Sequence, residues 1–172
     1  LVKDGYIVFC ACPFFSPNQK KIINNFGAKC LDLNFSKQSL NPILFVIDFF
    51  QIINKLNKLK PYNILTYTSS PIFFIGFYSL FKKINHFILI TGMGYYFNNY
   101  NKKIIVKKLL SFFYKISCLN AKLIIFQNKL DRTEFKKLNL ANNKIKKIIV
   151  NGSGVDLKKF SSRKNKINKK IK

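Results

Sequence analysis

Three apolar runs of this chain are each followed by a pair of glycine or amide residues, and this pattern is suited to ligand binding. The pairs are Gly92 with Gly94 after the run 87–90, Gln127 with Asn128 after the run 123–126, and Gly152 with Gly154 after the run 148–150. Parallel strands of an open α/β sheet end at one edge, and ligands bind there. Backbone N–H groups at a glycine turn bind anions, and side-chain amides pair with hydroxyl groups. The pattern therefore predicts a binding edge that recognises phosphate or hydroxyl groups.

Each feature of this edge also has a purely structural explanation. Glycine can serve a tight turn with positive φ, and Asn128 can cap the helix that follows it. The aromatic run that begins at Tyr95 suits the core as well as the wall of a pocket. Asp156 is typical of a turn, and His86, which has no acidic or nucleophilic neighbour in sequence, is typical of a structural histidine.

Strand-like and helical segments alternate from one end of the chain to the other. The predicted strands are residues 6–11, 28–33, 64–67, 86–90, 122–126 and 145–150. The predicted helices are residues 18–25, 41–59, 72–81, 102–118 and 129–138. Such alternation is typical of right-handed βαβ units around a parallel sheet. The sequence therefore predicts an α/β fold with a doubly wound parallel sheet of about six strands.

Polar residues mark the expected outer faces of two helices. In the helix 41–59 they recur at spacings of three and four, at Asp48, Gln51, Lys55 and Lys58. This spacing predicts a solvated stripe. The remaining, apolar residues are then expected to pack on the sheet; they include Ile43, Leu44, Ile47, Phe50 and Ile53. In the helix 129–138, Asp131 and Glu134 lie beside basic residues and indicate a second solvated face.

The chain is strongly basic, with 31 Lys and Arg residues against 6 Asp and Glu and a net charge of +25 over 172 residues. Only Arg132 and Arg163 are arginines, whereas nucleic-acid-binding proteins favour arginine for its planar, forked donor group. We therefore expect an anionic membrane surface or a phosphate-bearing ligand as the partner, rather than nucleic acid. The apolar content of 48% excludes a mainly disordered chain, and the length suits one domain.

The four cysteines favour neither a disulfide framework nor a metal site. Cys10, Cys12, Cys30 and Cys118 contain no C-x-x-C pair, and the chain has a single histidine. Reduced cysteines in a cytoplasmic protein are the simpler interpretation. The longest uncharged apolar stretch, residues 71–81, is shorter than the ~20 residues of a membrane-spanning helix, so we expect no membrane span.

Three stretches of the chain resemble motifs of a known enzyme family. They are residues 90–97 (ITGMGYYF), 124–128 (IIFQN) and 152–160 (GSGVDLKKF). Shorter matches occur at Gly5, Pro13, Gly27, Pro42, Pro61 and Thr68. In this order and spacing they resemble the N-terminal, acceptor-side domain of retaining GT-B glycosyltransferases of family 4. Within that family the resemblance is to bacterial sugar transferases that build polysaccharides and lipid-linked glycans.

The resemblance implies a Rossmann-like domain over residues 1–160 that is truncated at both ends. The family's first strand and its donor-binding C-terminal half are absent from the sequence, and residues 1–4 are expected to be the last turn of a helix. Residues 161–172 are rich in lysine, and we interpret them as a basic linker toward a donor-binding domain.

The resemblance further implies transfer of a sugar from a nucleotide-sugar to a lipid-linked or glycan acceptor, with retention at the anomeric carbon. The residues expected to line the acceptor cleft are Thr68, Ser70, Thr91, Gly92, Gly94, Tyr95, Gln127, Asn128, Gly152 and Gly154. Ser70 stands where the family usually carries a lysine. We expect no catalytic residue, metal ion or cofactor in this part of the enzyme, because the other half mainly binds the nucleotide-sugar.

Two functions are open at this point. The first is one half of a cytoplasmic glycosyltransferase. It would bind peripherally to the inner face of the membrane and be inactive as an isolated fragment. Half of a cleft neither holds the donor nor excludes water, which explains the expected inactivity. The second is a non-catalytic basic domain that binds a membrane surface or nucleic acid. Binding that weakens uniformly with salt would favour the second.

Overall fold

Strands and helices alternate as the sequence predicts, in a computed structural model that describes residues 1–33, 42–93, 104–152 and 154. The strands are β1 (Phe9–Cys12), β2 (Lys29–Asp32), β3 (Asn63–Tyr67), β4 (Asn85–Ile90), β5 (Ala121–Phe126) and β6 (Lys146–Ile149). The helices are α1 (Pro17–Asn25), α2 (Pro42–Leu59), α3 (Ser69–Phe81), α4 (Ile104–Cys118) and α5 (Lys129–Lys137). Every predicted element is present, with ends that shift by a few residues.

All six strands run parallel, and they form two hydrogen-bonded groups. β1 pairs with β2, while β3, β4, β5 and β6 pair in that order. A helix connects each strand to the next, as parallel pairing requires. The predicted α/β fold with a doubly wound, Rossmann-like arrangement is confirmed. One detail differs, because β1 and β3 form no ladder with each other among the described residues.

The local sequence explains where two of the helices begin. The Ser16 hydroxyl accepts a hydrogen bond from the Gln19 N–H, and the Gln19 side chain accepts one from the Ser16 N–H, which together form a capping box at α1. α3 begins at Ser69, earlier than predicted. Pro71 does not prevent this start, because a proline in the first turn of a helix removes no intrahelical hydrogen bond.

The core lies between the sheet and the helices α2, α3, α4 and α5. Every second residue of β4 is buried, at His86, Ile88 and Ile90. α3 is apolar on nearly every side, and much of it is buried between its neighbours. Where it crosses α4, a Cβ at Gly76 would overlap Ser117. Only glycine therefore permits the observed approach of the two helices.

The expected orientation of α2 is partly confirmed, since Gln51 and Lys58 are exposed and Ile53 packs inward, but most of the pattern is wrong. Asp48 is buried, and Lys55 is half-buried and donates a hydrogen bond to the Asp32 carbonyl. Four of the residues expected against the sheet are exposed instead: Ile43, Leu44, Ile47 and Phe50. The stripe that packs inward is Phe45, Phe49, Ile52 and Leu56. α2 has apolar residues on all sides, so the spacing of its polar residues could not identify the inner face.

His86 is a structural residue, as its sequence context predicts. The side chain is fully buried, and its Nε2 lies 2.8 Å from the Thr66 hydroxyl. That hydroxyl donates to the Phe87 carbonyl, so Nε2 carries the ring proton and donates to Thr66. Nδ1 then has no hydrogen-bond partner among the described residues. Burial lowers the pKa of His86 from 6.5 to about 4.

We expect the free energy of unfolding to fall as the pH is lowered toward this pKa. The unfolded chain binds a proton at His86 near pH 6.5, whereas the folded chain binds it only near pH 4. The contribution of His86 to stability is therefore fully present above pH 6.5 and is reduced by about 2 kcal/mol at pH 5. Urea unfolding at pH 7.5 and at pH 5 measures this loss.

The matched variant is His86→Gln, which keeps a donor for Thr66 but does not titrate. Between the same two pH values its unfolding free energy should change by about 2 kcal/mol less than that of the wild type. Equal pH dependence of the two proteins would show that His86 is not held in its neutral form.

Candidate functional site

The turns that follow β3, β4, β5 and β6 lie at one edge of the sheet. These strands are parallel, so their carboxyl ends share an edge. The described residues predicted for binding that fall in these turns, or in the first turn of α3, are Thr68, Ser70, Thr91, Gly92, Gln127, Asn128, Gly152 and Gly154. Thr91, Gly92 and Gly152 are exposed there. The edge can therefore present hydroxyl, amide and backbone N–H groups to one ligand.

The turn after β3 borders an apolar cavity of about 570 Å³. Of the predicted site residues, Thr68 and Ser70 line this cavity. The opposite wall comes from Ala11 and Cys12 at the end of β1. The remaining described site residues lie at the same edge without lining it: Thr91, Gly92, Gln127, Asn128, Gly152 and Gly154. The structure thus divides the predicted set into a cavity group and a turn group.

Thr68 has a backbone conformation that residues other than glycine rarely adopt. Its φ is 66° and its ψ is 155°, which costs on the order of 1–3 kcal/mol. Its side chain makes no capping hydrogen bond to α3. The next residue is held in place, because the Ser69 hydroxyl lies 3.2 Å from the hydroxyl of the buried Tyr114 on α4. The first N–H groups of α3, which have no partner within the helix, therefore lie at this edge.

The turns at Gly92 and Gly152 are open and unstrained. Neither glycine has a positive φ, and nothing lies within 4 Å of the position of an added Cβ. The requirement for positive φ that the sequence suggested is therefore absent at these two positions. Gly154 differs, since its φ is +69°. The space beside Gly92 and Gly152 allows a ligand to approach the backbone.

Asn128 caps α5, and Asp131 connects that helix to the turn after β4. Asn128 Oδ1 accepts a hydrogen bond from the Asp131 N–H at 2.7 Å. The Asp131 carboxylate accepts hydrogen bonds from Asn128 Nδ2 at 2.6 Å and from the Met93 N–H at 3.1 Å. The expected solvated face at Asp131 is therefore wrong. The spacing Asn128-x-x-Asp131, a capping pattern, was the signal in the sequence that could have indicated this contact.

The carboxylate at the carboxyl end of β2 has partners on three sides of its charge: an ion pair, a backbone N–H and the positive charge of a nearby lysine. Asp32, at the end of β2, pairs with Lys20 at 2.6 Å and accepts a hydrogen bond from the Phe15 N–H. The hydrogen bond from Lys20 lowers the pKa of Asp32, so Asp32 stays ionised. The pairing of Asp32 with Lys20 therefore holds α1 against the end of β2. Cys118, at the end of α4, lies at the opposite edge of the sheet, and burial raises its pKa to about 12.

Several sequence predictions lie outside the described residues. These are the ones that concern Gly94, Tyr95, Asp156, the domain end at residue 160 and the linker over residues 161–172. Within the described residues, no three His, Cys, Asp or Glu side chains form a group that could hold a metal ion.

The chain is similar to a curated glycosyltransferase. It is 29% identical over 155 residues to N,N'-diacetylbacillosaminyl-diphospho-undecaprenol alpha-1,3-N-acetylgalactosaminyltransferase of Campylobacter jejuni. The match covers 89% of this chain and 40% of the relative, so the chain spans about two fifths of the length of that enzyme. No protein-family model matches the chain. The comparison supports the resemblance to glycosyltransferases, while family 4 and retention stay predictions.

We expect Asp131→Ala to loosen the turn after β4. The variant removes the acceptor of the Met93 N–H, so hydrogen exchange at that amide should accelerate by about tenfold. The loss of a charged acceptor at the start of α5 should also lower the unfolding free energy by about 1–2 kcal/mol. NMR-detected exchange and urea unfolding measure the two effects.

Glu134→Ala on the same helix is the matched control. Glu134 faces Lys137 at 3.9 Å, and it has no side-chain hydrogen bond to the described part of the turn after β4, residues 91–93. Its removal should leave exchange at Met93 unchanged. Equal acceleration in both variants would show that Asp131 acts only through the general stability of α5.

Proposed function

We propose that this chain is the acceptor-side half of a glycosyltransferase that transfers a sugar from a nucleotide-sugar to a lipid-linked acceptor. The observation that carries the proposal is the similarity, over 89% of the chain, to a transferase whose name gives a diphospho-undecaprenol-linked substrate. The motifs at residues 90–97, 124–128 and 152–160 support the further proposal that the enzyme is a retaining GT-B transferase of family 4.

The chemistry of the carboxyl edge supports an acceptor role. A diphosphate-linked sugar carries anionic oxygens and hydroxyl groups. The N–H groups at the start of α3 favour anions, because the positive end of the helix dipole lies there. The open backbone at Gly92 and Gly152 and the Ser70 hydroxyl offer further hydrogen-bond donors. These groups can hold the diphosphate and orient an acceptor hydroxyl.

The strain at Thr68 also supports a binding site at this edge. Backbone strain in folded proteins clusters at functional sites, where the surrounding structure maintains it. Here the contact between Ser69 and Tyr114 maintains the turn, and no capping hydrogen bond of Thr68 compensates for its conformation. We propose that the conformation is kept because it sets the direction of the donors at the start of α3.

Binding and orientation are only part of a transfer reaction. Transfer also requires neutralisation of the leaving nucleotide diphosphate, and alignment alone does not supply it. We assign that task to a donor-binding half, which would correspond to the part of the relative that the match does not cover. The isolated chain is therefore proposed to be inactive, since a one-sided cleft does not exclude water.

The outer faces of α2 and α4 suit an acceptor that is anchored in a membrane. Ile47 and Phe50 on α2 are exposed, as are Ile105, Leu109 and Phe112 on α4, with exposed fractions between 45% and 82%. The three residues of α4 are spaced by four and three positions and form one stripe. Contact between Phe45 and Phe113, with ring centroids 6.0 Å apart, joins the two helices. Together these residues form an apolar surface.

The positive charge of the chain and the position of α4 in the fold also support binding to a membrane. Lys107, Lys108 and Lys115 lie on α4, and the net charge of +25 attracts anionic headgroups. Helices that follow parallel strands begin at the carboxyl edge, so the start of α4 lies at the same end of the molecule as the turn at Gly92. None of the described helices is both long and apolar enough to cross a bilayer. We propose peripheral binding at the inner face of the membrane.

Titration with farnesyl diphosphate tests the acceptor site. The backbone amide NMR signals of Ser70 and Gly92 should shift, because these residues follow neighbouring strands and their N–H groups can donate to one diphosphate. Gly92→Val should weaken the affinity by about tenfold, since its side chain occupies the approach to the backbone. The unfolding free energy should change by less than about 0.5 kcal/mol, because the site of the new side chain is open.

Uridine diphosphate is the matched ligand for this titration. It carries the same diphosphate on a nucleoside, and we expect it to leave the amide signals of Ser70 and Gly92 unchanged, because the other half binds the donor. Shifts with uridine diphosphate but none with farnesyl diphosphate would contradict an acceptor role of this edge.

Co-sedimentation with vesicles of phosphatidylglycerol and phosphatidylcholine tests the membrane surface. The double variant Ile105→Ser and Phe112→Ser should bind these vesicles at least about tenfold more weakly, because burial of a large apolar side chain contributes about 1.5–3 kcal/mol. Both residues are exposed, so the variant should fold normally.

Leu119→Ser with Phe81→Ser is the control, because these residues are 64% and 80% exposed but lie at the C-terminal ends of α4 and α3, away from the carboxyl edge. This variant should bind vesicles like the wild type. Equal binding by both double variants would contradict the proposed surface. If the chain also bound duplex DNA with a steep salt dependence, a basic binding domain would be favoured instead.

A further inference from the structure

We propose that a second cavity, at the amino edge of β3 and β4, binds a soluble anion that carries a chain of phosphate groups. Its volume is about 380 Å³, which lies within the range of small-molecule sites. α2 and α3 end at this edge, and β3 and β4 begin there. The 13 residues of α3 separate it from the acceptor edge by about 20 Å. The site is therefore distinct from the acceptor site and does not depend on the proposed function.

Three lysines line this second cavity and supply its charge. Lys60 follows α2, while Lys82 and Lys83 follow α3. All three residues are exposed, and none of them forms an ion pair with a carboxylate of the described residues. Like charges around a concave site strengthen the local field and attract an anion of several charges. Since an ammonium group binds phosphate as a point charge, a chain of phosphates can contact all three lysines.

The conformation of Lys60 is not explained by the end of a helix alone. A basic residue after a helix is favoured by the helix dipole. Lys60, however, has a φ of 47°, and glycine is the usual residue with positive φ at the end of a helix. Its N–H donates to the Leu56 carbonyl at 2.8 Å, so the backbone is fixed at this point. A lysine in a strained conformation therefore forms part of the wall, as is common at functional sites.

Backbone hydrogen bonds hold the two segments of the wall in place. The Asn85 N–H donates to the Tyr62 carbonyl at 2.8 Å and joins the segment after α2 to the segment after α3. The Ile84 N–H donates to the Lys82 carbonyl at 3.0 Å, and the Lys82 N–H donates to the Tyr78 carbonyl at 3.1 Å. The backbone that carries the lysines is therefore ordered before a ligand binds, which reduces the entropic cost of binding.

Tyr78 and Asn57, which also line the second cavity, add a neutral donor to the site. The Tyr78 hydroxyl donates to Asn57 Oδ1 at 3.0 Å. Burial raises the pKa of Tyr78, so this hydroxyl stays protonated and keeps the bond. Because Asn57 Oδ1 is the acceptor, the Nδ2 group is the donor that remains on the amide. It can donate to a phosphate oxygen beside the lysines.

The ring of Tyr62 allows two sources for the phosphate chain. Tyr62 is 73% exposed and lines the second cavity together with Pro61. Exposed aromatic rings of this kind stack on nucleobases. A free polyphosphate and a nucleoside triphosphate share the phosphate chain that the lysines would bind, whereas only the nucleoside would contact Tyr62.

Calorimetric titration of the whole chain with sodium tripolyphosphate tests the second cavity. The triple variant Lys60→Gln, Lys82→Gln and Lys83→Gln should bind about tenfold more weakly or less, because three charged contacts are lost. The affinity of the wild type should fall as sodium chloride is raised from about 50 to about 200 mM. In the wild type, which depends on no variant, the backbone amide NMR signals of Tyr62 and Lys83 should shift.

A triple variant with the same change in net charge is the control. Lys21→Gln, Lys136→Gln and Lys144→Gln remove three exposed lysines, which lie on α1, on α5 and before β6. This variant should bind tripolyphosphate like the wild type. Equal weakening in both triple variants would overturn the proposal, because the total charge of +25, and not the cavity, would then attract the anion.

Adenosine triphosphate identifies the source of the phosphate chain. Tighter binding than that of tripolyphosphate, with the difference lost in Tyr62→Ala, would assign a nucleoside triphosphate to the site. Equal affinity for the two anions, unchanged in Tyr62→Ala, would assign a free polyphosphate.

Two further results would contradict this inference. The first is the absence of shifts at Tyr62 and Lys83 with millimolar tripolyphosphate. The second is weaker binding to phosphatidylglycerol vesicles by the cavity variant but not by its control, which would make a membrane surface the partner of these lysines. The cavity variant should keep the shifts of Ser70 and Gly92 with farnesyl diphosphate, so this proposal and the proposed function fail independently.

Discussion

The structure depends on the close contact between α3 and α4, where no side chain larger than that of glycine fits at Gly76 against Ser117. α3 is apolar on nearly every side, so it is stable only when its neighbours cover it. Its contact with α4 fixes its position over β3 and β4 and places Ser69 within hydrogen-bonding distance of Tyr114. The strained conformation of Thr68 follows from this packing, because the chain must pass from a fixed strand end to a fixed helix start.

The elements of the fold were predictable because local signals agree with the tertiary arrangement. Apolar runs of four to six residues end at Gly92, at Asn128 and near Gly152, and the proline at Pro42 marks the start of a helix. The buried strand β4 is continuous in apolar residues after His86, as strands covered by helices usually are. The candidate edge follows from the same signals, because parallel strands end together.

Other features depend on contacts between residues that are distant in sequence. The inner face of α2 could not be identified because apolar side chains surround it, and the position of Lys55 depends on its hydrogen bond to the Asp32 carbonyl at the end of β2. The contact from Asp131 to Met93 spans 38 positions. The division of the strands into the pair β1 and β2 and the ladder from β3 to β6 is also set by which strand edges lie side by side in the fold. Spacing within one element contains no information on such contacts, although capping spacing at Asn128 gave a partial signal.

The proposed acceptor edge and the proposed membrane surface are related through the geometry of the fold. In a parallel α/β arrangement each helix begins where the preceding strand ends, so Ile105 at the start of α4 and Gly92 at the end of β4 lie at the same end of the molecule. A lipid-linked diphosphate has its charged group at the bilayer surface. A domain that buries Ile105 and Leu109 among the headgroups would therefore bring its backbone donors to the height of that diphosphate, without any hinge within the domain. Because each helix begins where the preceding parallel strand ends, the proposed acceptor edge and the proposed membrane surface lie at the same end of the molecule.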